Sequence, residues 1–323
     1  MLTFDNGMDH YLSDRFYKVN QTLLPDTGWT LVDDKVQKLL EKIKKAGIPL
    51  GEYVQGKIFY GIKTGLNEAF VIDEDTKESL IKEDPNSAEI IKPFLAGRDI
   101  KRYQQPRSEK YLILIKNGQT KAWFGDLKED AAYEKLMIKY PAVGIYLAQF
   151  KEKAKARYDK GQYWWELRAC DYYEEFEKPK IMYQVFQVKA CFIYDDYGSY
   201  CNNSIWILPT LDKILLGILN SKLGWWLISQ YCTAIQNGYQ LIWKYLGQVP
   251  IAQADRKSTQ NLTEKISQVL RNKKSDPNAD TLSLEAEIDW LVYRLYDLTW
   301  EEVKIVDPEF AMSEAEYMSK MLN

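Results

Sequence analysis

The chain has 323 residues, of which 46% are hydrophobic and 28% are charged, so it can bury a large core and is globular in composition. The formal net charge of -3 hides an asymmetry, because residues 276–323 hold twelve Asp and Glu against three Lys and Arg. That segment carries -9, which leaves +6 on residues 1–275. A mildly basic body with an acidic tail permits a nucleic-acid ligand on one face and protein contacts on another.

Cysteine and histidine usage argues against a metal site. The four cysteines have no C-x-x-C spacing, and His10 is the sole histidine, which we interpret as a solvated terminal residue. No basic leader precedes an apolar segment at the amino end, so we expect a cytoplasmic protein with free thiols. The most apolar segment, Ile214 to Ile228, is shorter than the roughly 20 residues that span a bilayer. We therefore expect a buried helix there and no membrane partner.

The first predicted element is a short amphipathic helix. Val36, Leu39, Leu40 and Ile43 recur at helical spacing, and Gly47 is placed to end the helix. Beyond it, stretches rich in Ile, Val, Tyr and Phe are punctuated by Gly, Asn and Asp, which predicts strands and hairpins. These stretches are residues 57–60, 69–73, 111–115, 181–188, 190–194 and 204–208.

The carboxy-terminal part of the sequence returns to a helical period. Apolar residues recur every three to four positions over 211–231, 262–270 and 284–298, which predicts helices. Thr299 followed by Glu302 predicts a capping box for the next helix. The best candidate for a linker is the segment 252–258 after Pro250.

Several blocks, in order along the chain, carry a resemblance to a known family. They are Gly56–Phe70, Ile90–Ile100, Tyr163–Arg168, Phe176–Tyr183, Tyr200–Asn203, Leu215–Leu223 and Ile288–Tyr296. Together they resemble the TaqI-like C-terminal specificity (target-recognition) domain of type IIG-like restriction-modification enzymes and adenine-specific DNA methyltransferases. In that family the domain reads DNA and does not cut or methylate it.

The resemblance implies an α+β fold in two parts. A mixed, β-rich specificity domain is expected over residues 33–252, followed by a small helical module over 253–323. Residues 1–32 would then be a lead-in from an upstream part that this sequence lacks. These limits are predictions from the family architecture and from the linker signal.

The resemblance also implies a function in restriction-modification. The chain would recognise a specific sequence of double-stranded DNA and position an adenine-specific (N6) methyltransferase or an endonuclease, present as another domain or subunit. No catalytic centre is expected here, because no two glycines lie two positions apart, as a glycine-rich cofactor loop would require, and no Pro-Pro dipeptide occurs. S-adenosylmethionine and Mg²⁺ are expected only in the missing catalytic parts.

Two alternatives remain open. A stand-alone Mg²⁺-dependent nuclease would need a Pro-Asp followed by an acidic residue and Lys, and Asp26 with Asp33 and Lys35 is the formal candidate. A protein-interaction subunit that never touches DNA would be organised around the acidic tail. The two alternatives differ from the main interpretation in whether the chain cleaves DNA or ignores it.

The first candidate DNA contacts lie in a glycine-flanked turn. Gly61 and Gly65 let the backbone approach a neighbour, while Lys63 and Thr64 offer donors for phosphate. Asn67 could bind phosphate or an adenine edge. The alternative is a tight hairpin in which Asn67 merely caps the turn.

The run from Gly97 to Tyr103 holds the strongest basic cluster of the recognition region. Arg98, Lys101 and Arg102 lie within it, and arginine binds a guanine edge bidentately whereas lysine binds phosphate as a point charge. The structural alternative pairs Arg98 with Asp99 or with a carboxylate of the core.

Further candidates are cations and amides on later segments. Lys155 and Arg157 belong to a basic stretch, 151–168, predicted as a solvated helix and then a strand whose Trp164 and Trp165 fill the core. Strand periodicity places Lys180, Met182 and Gln184 on one face and Ile181 and Tyr183 on the other. Amides at or near turns complete the set, although local capping is at least as good an explanation for several of them. They are Gln187, Asn202, Asn237 and Gln240.

Overall fold

The computed structural model describes residues 33–253 and 256–322, and within them the chain is an α+β fold with open sheets. His10, Asp26 and the predicted lead-in 1–32 lie outside the described residues. The elements up to residue 156 are α1 (Asp34–Ala46), β1 (Gly47–Pro49), α2 (Leu50–Tyr53), β2 (Phe59–Tyr60), α3 (Asn67–Phe70), β3 (Val71–Asp73), α4 (Glu74–Glu83), β4 (Ile91–Leu95), β5 (Lys110–Ile113), α5 (Gln119–Phe124), α6 (Glu129–Lys139), α7 (Pro141–Ala148) and α8 (Lys151–Ala156).

The later elements begin with strands and end with helices. They are β6 (Lys180–Gln184), β7 (Phe186–Gln187), β8 (Phe192–Asp195), β9 (Tyr200–Cys201), β10 (Ile205–Pro209), α9 (Lys213–Asn220), α10 (Lys222–Tyr231), β11 (Thr233–Ile235), β12 (Gly238–Gln240), α11 (Trp243–Leu246), β13 (Pro250–Ala252), α12 (Arg256–Ser275), α13 (Leu282–Leu295), α14 (Trp300–Val306) and α15 (Glu314–Leu322). Short 3₁₀ turns occur at Pro85–Glu89, Gly97–Asp99 and Tyr173–Phe176.

A four-stranded antiparallel sheet, in the order β2-β10-β6-β8, lies at the centre of the molecule. Its two faces contribute to two different hydrophobic cores. Ile181 and Tyr183 of β6 join a helical core formed with α1 and α9 to α15, whereas Met182 joins a mixed core formed with residues 62–176. The predicted alternation of these side chains along the strand is confirmed.

A second four-stranded sheet, in the order β3-β5-β4-β9, lies within the mixed core. Its last strand, β9, runs parallel to β4, with Tyr200 opposite Phe94. Because β9 leads into β10 after a short turn, this one segment connects the second sheet to the central sheet.

Local sequence signals predicted several elements correctly and missed others. Helix α1 ends before Gly47, and Thr299 and Glu302 form the predicted capping box at the start of α14. The predicted strand 69–73 is wrong in its first half, where α3 forms one helical turn before β3. The predicted strand around Trp164 and Trp165 is also wrong, because this segment is irregular, although both rings are fully buried as expected.

The helices after residue 252 pack closely against the rest of the described chain. Gly217 of α9 lies so near α12 that a Cβ atom there would come within 2.4 Å of the Ile266 Cδ1 atom. Strand β13 pairs with β1, which joins the two ends of the predicted specificity domain. The helical region thus shares one core with that domain, and the division at residue 252 remains a prediction.

Lys180 and Asp195 form a fully buried ion pair between β6 and β8. The ammonium nitrogen lies 2.5 Å from the carboxylate, which also accepts hydrogen bonds from the Ser199 amide at 2.9 Å and hydroxyl at 3.2 Å. Both side chains are wholly excluded from solvent. The pair therefore fixes the end of the central sheet and the turn that follows β8.

Asp289 is a second buried acid, on α13 in the helical region. Its Oδ1 accepts a hydrogen bond of 2.8 Å from the Lys222 amide at the start of α10. Burial raises the pKa of Asp289 to about 6. Ionisation of this side chain at neutral pH therefore opposes folding.

We expect Lys180→Met to lower the free energy of unfolding by about 3–5 kcal/mol, because it leaves the Asp195 carboxylate buried without a counter-charge. Urea unfolding followed by circular dichroism measures the change. The matched control is Lys178→Met, which removes an exposed lysine paired with Glu175 and should cost about 1 kcal/mol or less. Equal stabilities for the two variants would contradict a structural role for Lys180.

We expect Asp289→Asn to make the protein more stable than wild type at pH 8, by about 3 kcal/mol at most, and the difference to shrink at pH 5. Because the folded pKa of Asp289 lies above the unfolded value of about 3.9, the folded state favours the protonated side chain, and its contribution to stability is complete below about pH 4. It is lost as the pH rises through about 6. Urea unfolding at both pH values tests this, and the exposed Glu309→Gln should follow the wild type. A constant difference across pH would refute it.

Candidate functional site

Loops gather at one end of the central sheet, where β2 and β6 end and β8 and β10 begin. Gln184, the last residue of β6, lies opposite Ile205, the first residue of β10, and the Gly61 amide donates to the Ile205 carbonyl at 2.9 Å. We call this the loop end. It includes the turn after β2, the turn after β4, the segment 185–191 and the turn before β10.

Close backbone contacts fix these loops against one another. A Cβ atom on Gly61 would lie 1.9 Å from the Asn202 carbonyl oxygen, so only glycine fits there, and the Ile62 amide donates to the Cys201 carbonyl at 2.7 Å. The Asn202 amide in turn donates to the Leu95 carbonyl at 3.0 Å. The close approach predicted for Gly61 is confirmed, whereas the alternative of a tight hairpin is wrong, because the chain after residue 61 runs on to α3.

The turn after β4 presents two cations to solvent. Asp99 accepts a hydrogen bond from the Ala96 amide at 2.7 Å and so closes the turn. The Arg98 side chain is 75% exposed, and its Nε lies 3.9 Å from the Asp99 carboxylate, which is a long ion pair. Lys101 is exposed as well. Tyr103 then anchors the segment, because its ring is buried and its amide donates to the Phe192 carbonyl at 3.2 Å. This turn is therefore held at the loop end while its cations point outward.

Arg102 differs from its neighbours. Its guanidinium lies 2.6 Å from Glu285 of α13, and its Nε donates to the same carboxylate at 2.8 Å. The DNA contact predicted for Arg102 is less favoured than that of its neighbours, since its charge is already paired within the protein. Arg102 connects the turn after β4 to the helical region.

A three-stranded sheet, in the order β11-β12-β7, extends the loop end outward. We call it the hairpin sheet. Asn237, at its tip, is exposed and Gln240 is half-buried. Gln187 is 4% exposed and uses its side chain to bond the Gln184 and Cys191 carbonyls and the Cys191 amide, so its predicted base contact is corrected to a structural one.

Three more predicted contacts are excluded by burial. Arg157 is enclosed, and its guanidinium donates to the carbonyls of Thr64, Trp164 and Glu166 at 2.5 to 2.9 Å. Burial also lowers the pKa of Arg157 to about 10. Lys180 lies at the opposite end of β6, in the ion pair described above. Thr64 is 2% exposed and donates its hydroxyl hydrogen to Asn67.

The remaining candidates divide by position. Lys155 lies on α8 in an ion pair with Glu129, outside the loop end as defined here. Asn67 is exposed, but its Oδ1 accepts the Thr64 hydroxyl, and the Asn202 Oδ1 caps its own turn through Ser204. The candidates that the structure brings together at the loop end are Lys63, Arg98, Lys101, Gln184, Asn202, Asn237 and Gln240.

Sequence reasoning missed the contribution of segment 186–189. Lys189 is exposed at the loop end, and Phe186 and Val188 beside it are 49% and 66% exposed. A signal was present, because no Asp or Glu occurs from Lys178 to Tyr194 or from Lys213 to Gln253. Both acid-free stretches meet at the hairpin sheet.

A cavity of about 370 Å³ adjoins the hairpin sheet on its inner side. Rings of Trp225 and Tyr239 line it together with Lys189 and Lys222. Lys222 already pairs with Asp307 at 2.7 Å, as Arg102 does with Glu285. Lys189 is thus the cation that this cavity shares with the loop end.

The formal nuclease triplet, metal-ligand clusters and membrane-spanning helices can each be compared with the described residues. Asp33 of the formal nuclease triplet caps α1 by accepting the Lys35 amide at 2.7 Å, and its partner Asp26 lies outside the described residues. Within 33–253 and 256–322, no three or more His, Cys, Asp or Glu side chains cluster as metal ligands would. Over the same ranges, every helix is too short or too polar to cross a bilayer.

Part of this chain is similar to a known protein family. Residues 92–251 match the family model of the TaqI-like C-terminal specificity domain. Among solved structures, the chain is similar to the type IIL restriction-modification enzyme MmeI in complex with DNA, with 12% identity and a TM-score of 0.52 over 82% of this chain and 35% of that one. It also matches the type IIG restriction endonuclease BpuSI, with 14% identity and a TM-score of 0.42 over 88% of this chain and 35% of that one.

The chain thus spans about a third of the length of either solved structure. No curated protein matches it in sequence. The family match contains β4 to β13, which include every strand of the hairpin sheet and three of the four strands of the central sheet. Residues 92–251, just under half of this chain, are thus similar to the TaqI-like C-terminal specificity domain.

Proposed function

We propose that the loop end recognises a specific sequence in double-stranded DNA on behalf of a restriction-modification system. The observation that carries the proposal is the convergence of exposed cations and amides from separate segments at one end of the central sheet. Lys63, Arg98, Lys101 and Lys189 supply charge there. The similarity of residues 92–251 to a specificity-domain family supports the same assignment.

Different residue types at the loop end would contribute to the affinity and to the sequence specificity of DNA binding. Lys63, Lys101 and Lys189 would bind backbone phosphates, which fix the register of the protein on the duplex without reading sequence. The amides of Gln184, Asn237 and Gln240 would read adenine edges, and Arg98 would bind a guanine edge bidentately. Rigid backbone contacts behind these loops hold them in place before DNA arrives.

In this proposal the catalytic steps belong to other parts of the system. An adenine-specific (N6) methyltransferase or an endonuclease, as a further domain or subunit, would be positioned over its target by this chain, and the flipped adenine would enter that partner. S-adenosylmethionine and Mg²⁺ would bind there. The acidic helical region, with its net charge of -9 over residues 276–323, suits contact with such a protein better than contact with DNA. A cytoplasmic location would follow from the same role.

Selection from a randomised duplex pool at two salt concentrations tests the proposal directly. We expect an enriched motif that survives the higher salt, because base contacts depend less on counterion release than phosphate contacts do. No enriched motif at either salt concentration would contradict sequence recognition. Mg²⁺-dependent cleavage of the same pool that Asp26→Ala abolishes would instead favour the nuclease alternative.

We expect Arg98→Ala combined with Lys101→Ala to weaken DNA binding and to flatten its dependence on salt. Each lost phosphate contact should reduce the slope of log K against log [salt] by about 0.9. Fluorescence anisotropy over a salt series measures both quantities. The control is Lys82→Ala on α4, an exposed lysine near the opposite end of β4, which should leave affinity and slope unchanged. Equal behaviour of the double variant and the control would remove the turn from the interface.

A further inference from the structure

We infer that the outer face of the hairpin sheet enters the major groove and that its apolar side chains contact thymine methyl groups. The inference rests on the proposed function and goes beyond it by naming the reading surface and a base that it reads. Its evidence is an exposed apolar face that is supported through β7 and β12, free of acids and bordered by cations.

Strand register defines the outer face. Thr233 lies opposite Gln240, and Gln240 lies opposite Phe186, so these side chains project to the same side. Ile235 shares that side because it is two residues beyond Thr233. Phe186 is 49% exposed and Ile235 is 37% exposed, and Val188 next along the chain is 66% exposed.

The inner face of the same sheet is supported through β7 and β12. Gln187 is 4% exposed on that face, and the Tyr239 ring meets Trp225 edge-on at 5.3 Å across the rim of the cavity. The Leu241 amide also donates to the Val185 carbonyl at 2.7 Å, directly beside the end of β6. Strand β11, with Ala234 on the inner face, is exposed along its length and forms the free edge of the sheet.

Gly238 adds to this support by a close contact between strands. A Cβ atom at this position would lie 2.0 Å from the Gln187 carbonyl oxygen, so the start of β12 is in close backbone contact with β7. The tip of the hairpin consequently presents Gln236 and Asn237 without a bulky side chain behind them.

Charge favours a polyanion over a protein as the occupant. The hairpin sheet and its flanking segments contain no Asp or Glu, since none occurs over 178–194 or 213–253. Lys189 follows Val188 directly. The Gln184 side chain contacts the turn that carries Arg98, because a Cβ atom on Gly97 would lie 2.6 Å from the Gln184 side-chain nitrogen. Exposed apolar side chains on the two flanking strands and a cationic border together match a groove lined by phosphates.

The β11–β12 hairpin matches that groove in its number of strands. The major groove of B-DNA is about 12 Å wide and admits a two-stranded β-ribbon, whose strands lie about 5 Å apart. Strands β11 and β12 form such a ribbon, with the two-residue strand β7 beside it. The apolar feature that base edges offer in this groove is the C5-methyl group of thymine. Ile235 on β11 or Phe186 on β7 therefore selects thymine, while Gln240 on the middle strand and Asn237 at the tip can bond the edge of an adenine.

The test uses the motif obtained from pool selection and replaces each thymine singly by deoxyuridine, which removes only the methyl group. We expect at least one replacement to weaken binding about four-fold, the factor that covering one methyl group provides. Phe186→Ala or Ile235→Ala should abolish that discrimination between thymine and uracil at one position. Anisotropy titrations with the full chain measure these affinities.

Ile138→Ala is the matched control, since Ile138 is an apolar residue that is 76% exposed on α6, away from the loop end. It should keep the thymine preference of the wild type. A motif that tolerates every replacement, or a thymine preference that survives in both Phe186→Ala and Ile235→Ala, would overturn the inference and leave the proposed function intact. Absence of any motif would remove the proposed function itself and this inference with it.

Discussion

The central sheet is buried on both faces because alternate residues of β6 join different cores, Ile181 and Tyr183 on one side and Met182 on the other. A sheet covered in this way offers a ligand only its ends. One end is closed by the buried Lys180–Asp195 pair and the turn it holds. The opposite end, where loops from both sheets meet, is the one that remains free to present polar side chains, which is why the candidate site lies there.

Charge in the sequence proved an uneven guide to this site. Arg98 and Lys101 were predicted from a basic cluster and are exposed, whereas Arg157 and Lys180 looked equally available and are enclosed. The difference arises from hydrogen-bond acceptors that no local sequence pattern reveals. Arg157 donates to the backbone carbonyls of Thr64 and Glu166, and Lys180 pairs with Asp195 on a neighbouring strand. A cation whose partners are distant in sequence cannot be distinguished from a solvated one before the chain is folded.

Much of the fold was predictable where the controlling interactions are local. Helix α1 before Gly47, the capping box of α14 and the alternation along β6 each depend on residues a few positions apart. The helices over 129–148 escaped prediction, because exposed apolar residues such as Ile138 and Ile145 reduce the contrast between their buried and exposed faces. The hairpin sheet escaped for another reason: β7 is two residues long and exists only through its pairing with β12.

The ion pair between Arg102 and Glu285 links the loop end to the acidic helices across 183 residues of sequence. Arg102 directly follows Lys101, so the turn that presents cations to solvent is held from behind by α13. Asp289, one helical turn further along α13, holds the start of α10, whose Trp225 supports Tyr239 of the hairpin sheet. One helix therefore supports both parts of the loop end, and a partner that shifted α13 would move the turn and the hairpin sheet together. Under the proposed function, this arrangement would give the acidic helical region a structural role, because α13 would set the relative position of the turn and the hairpin sheet.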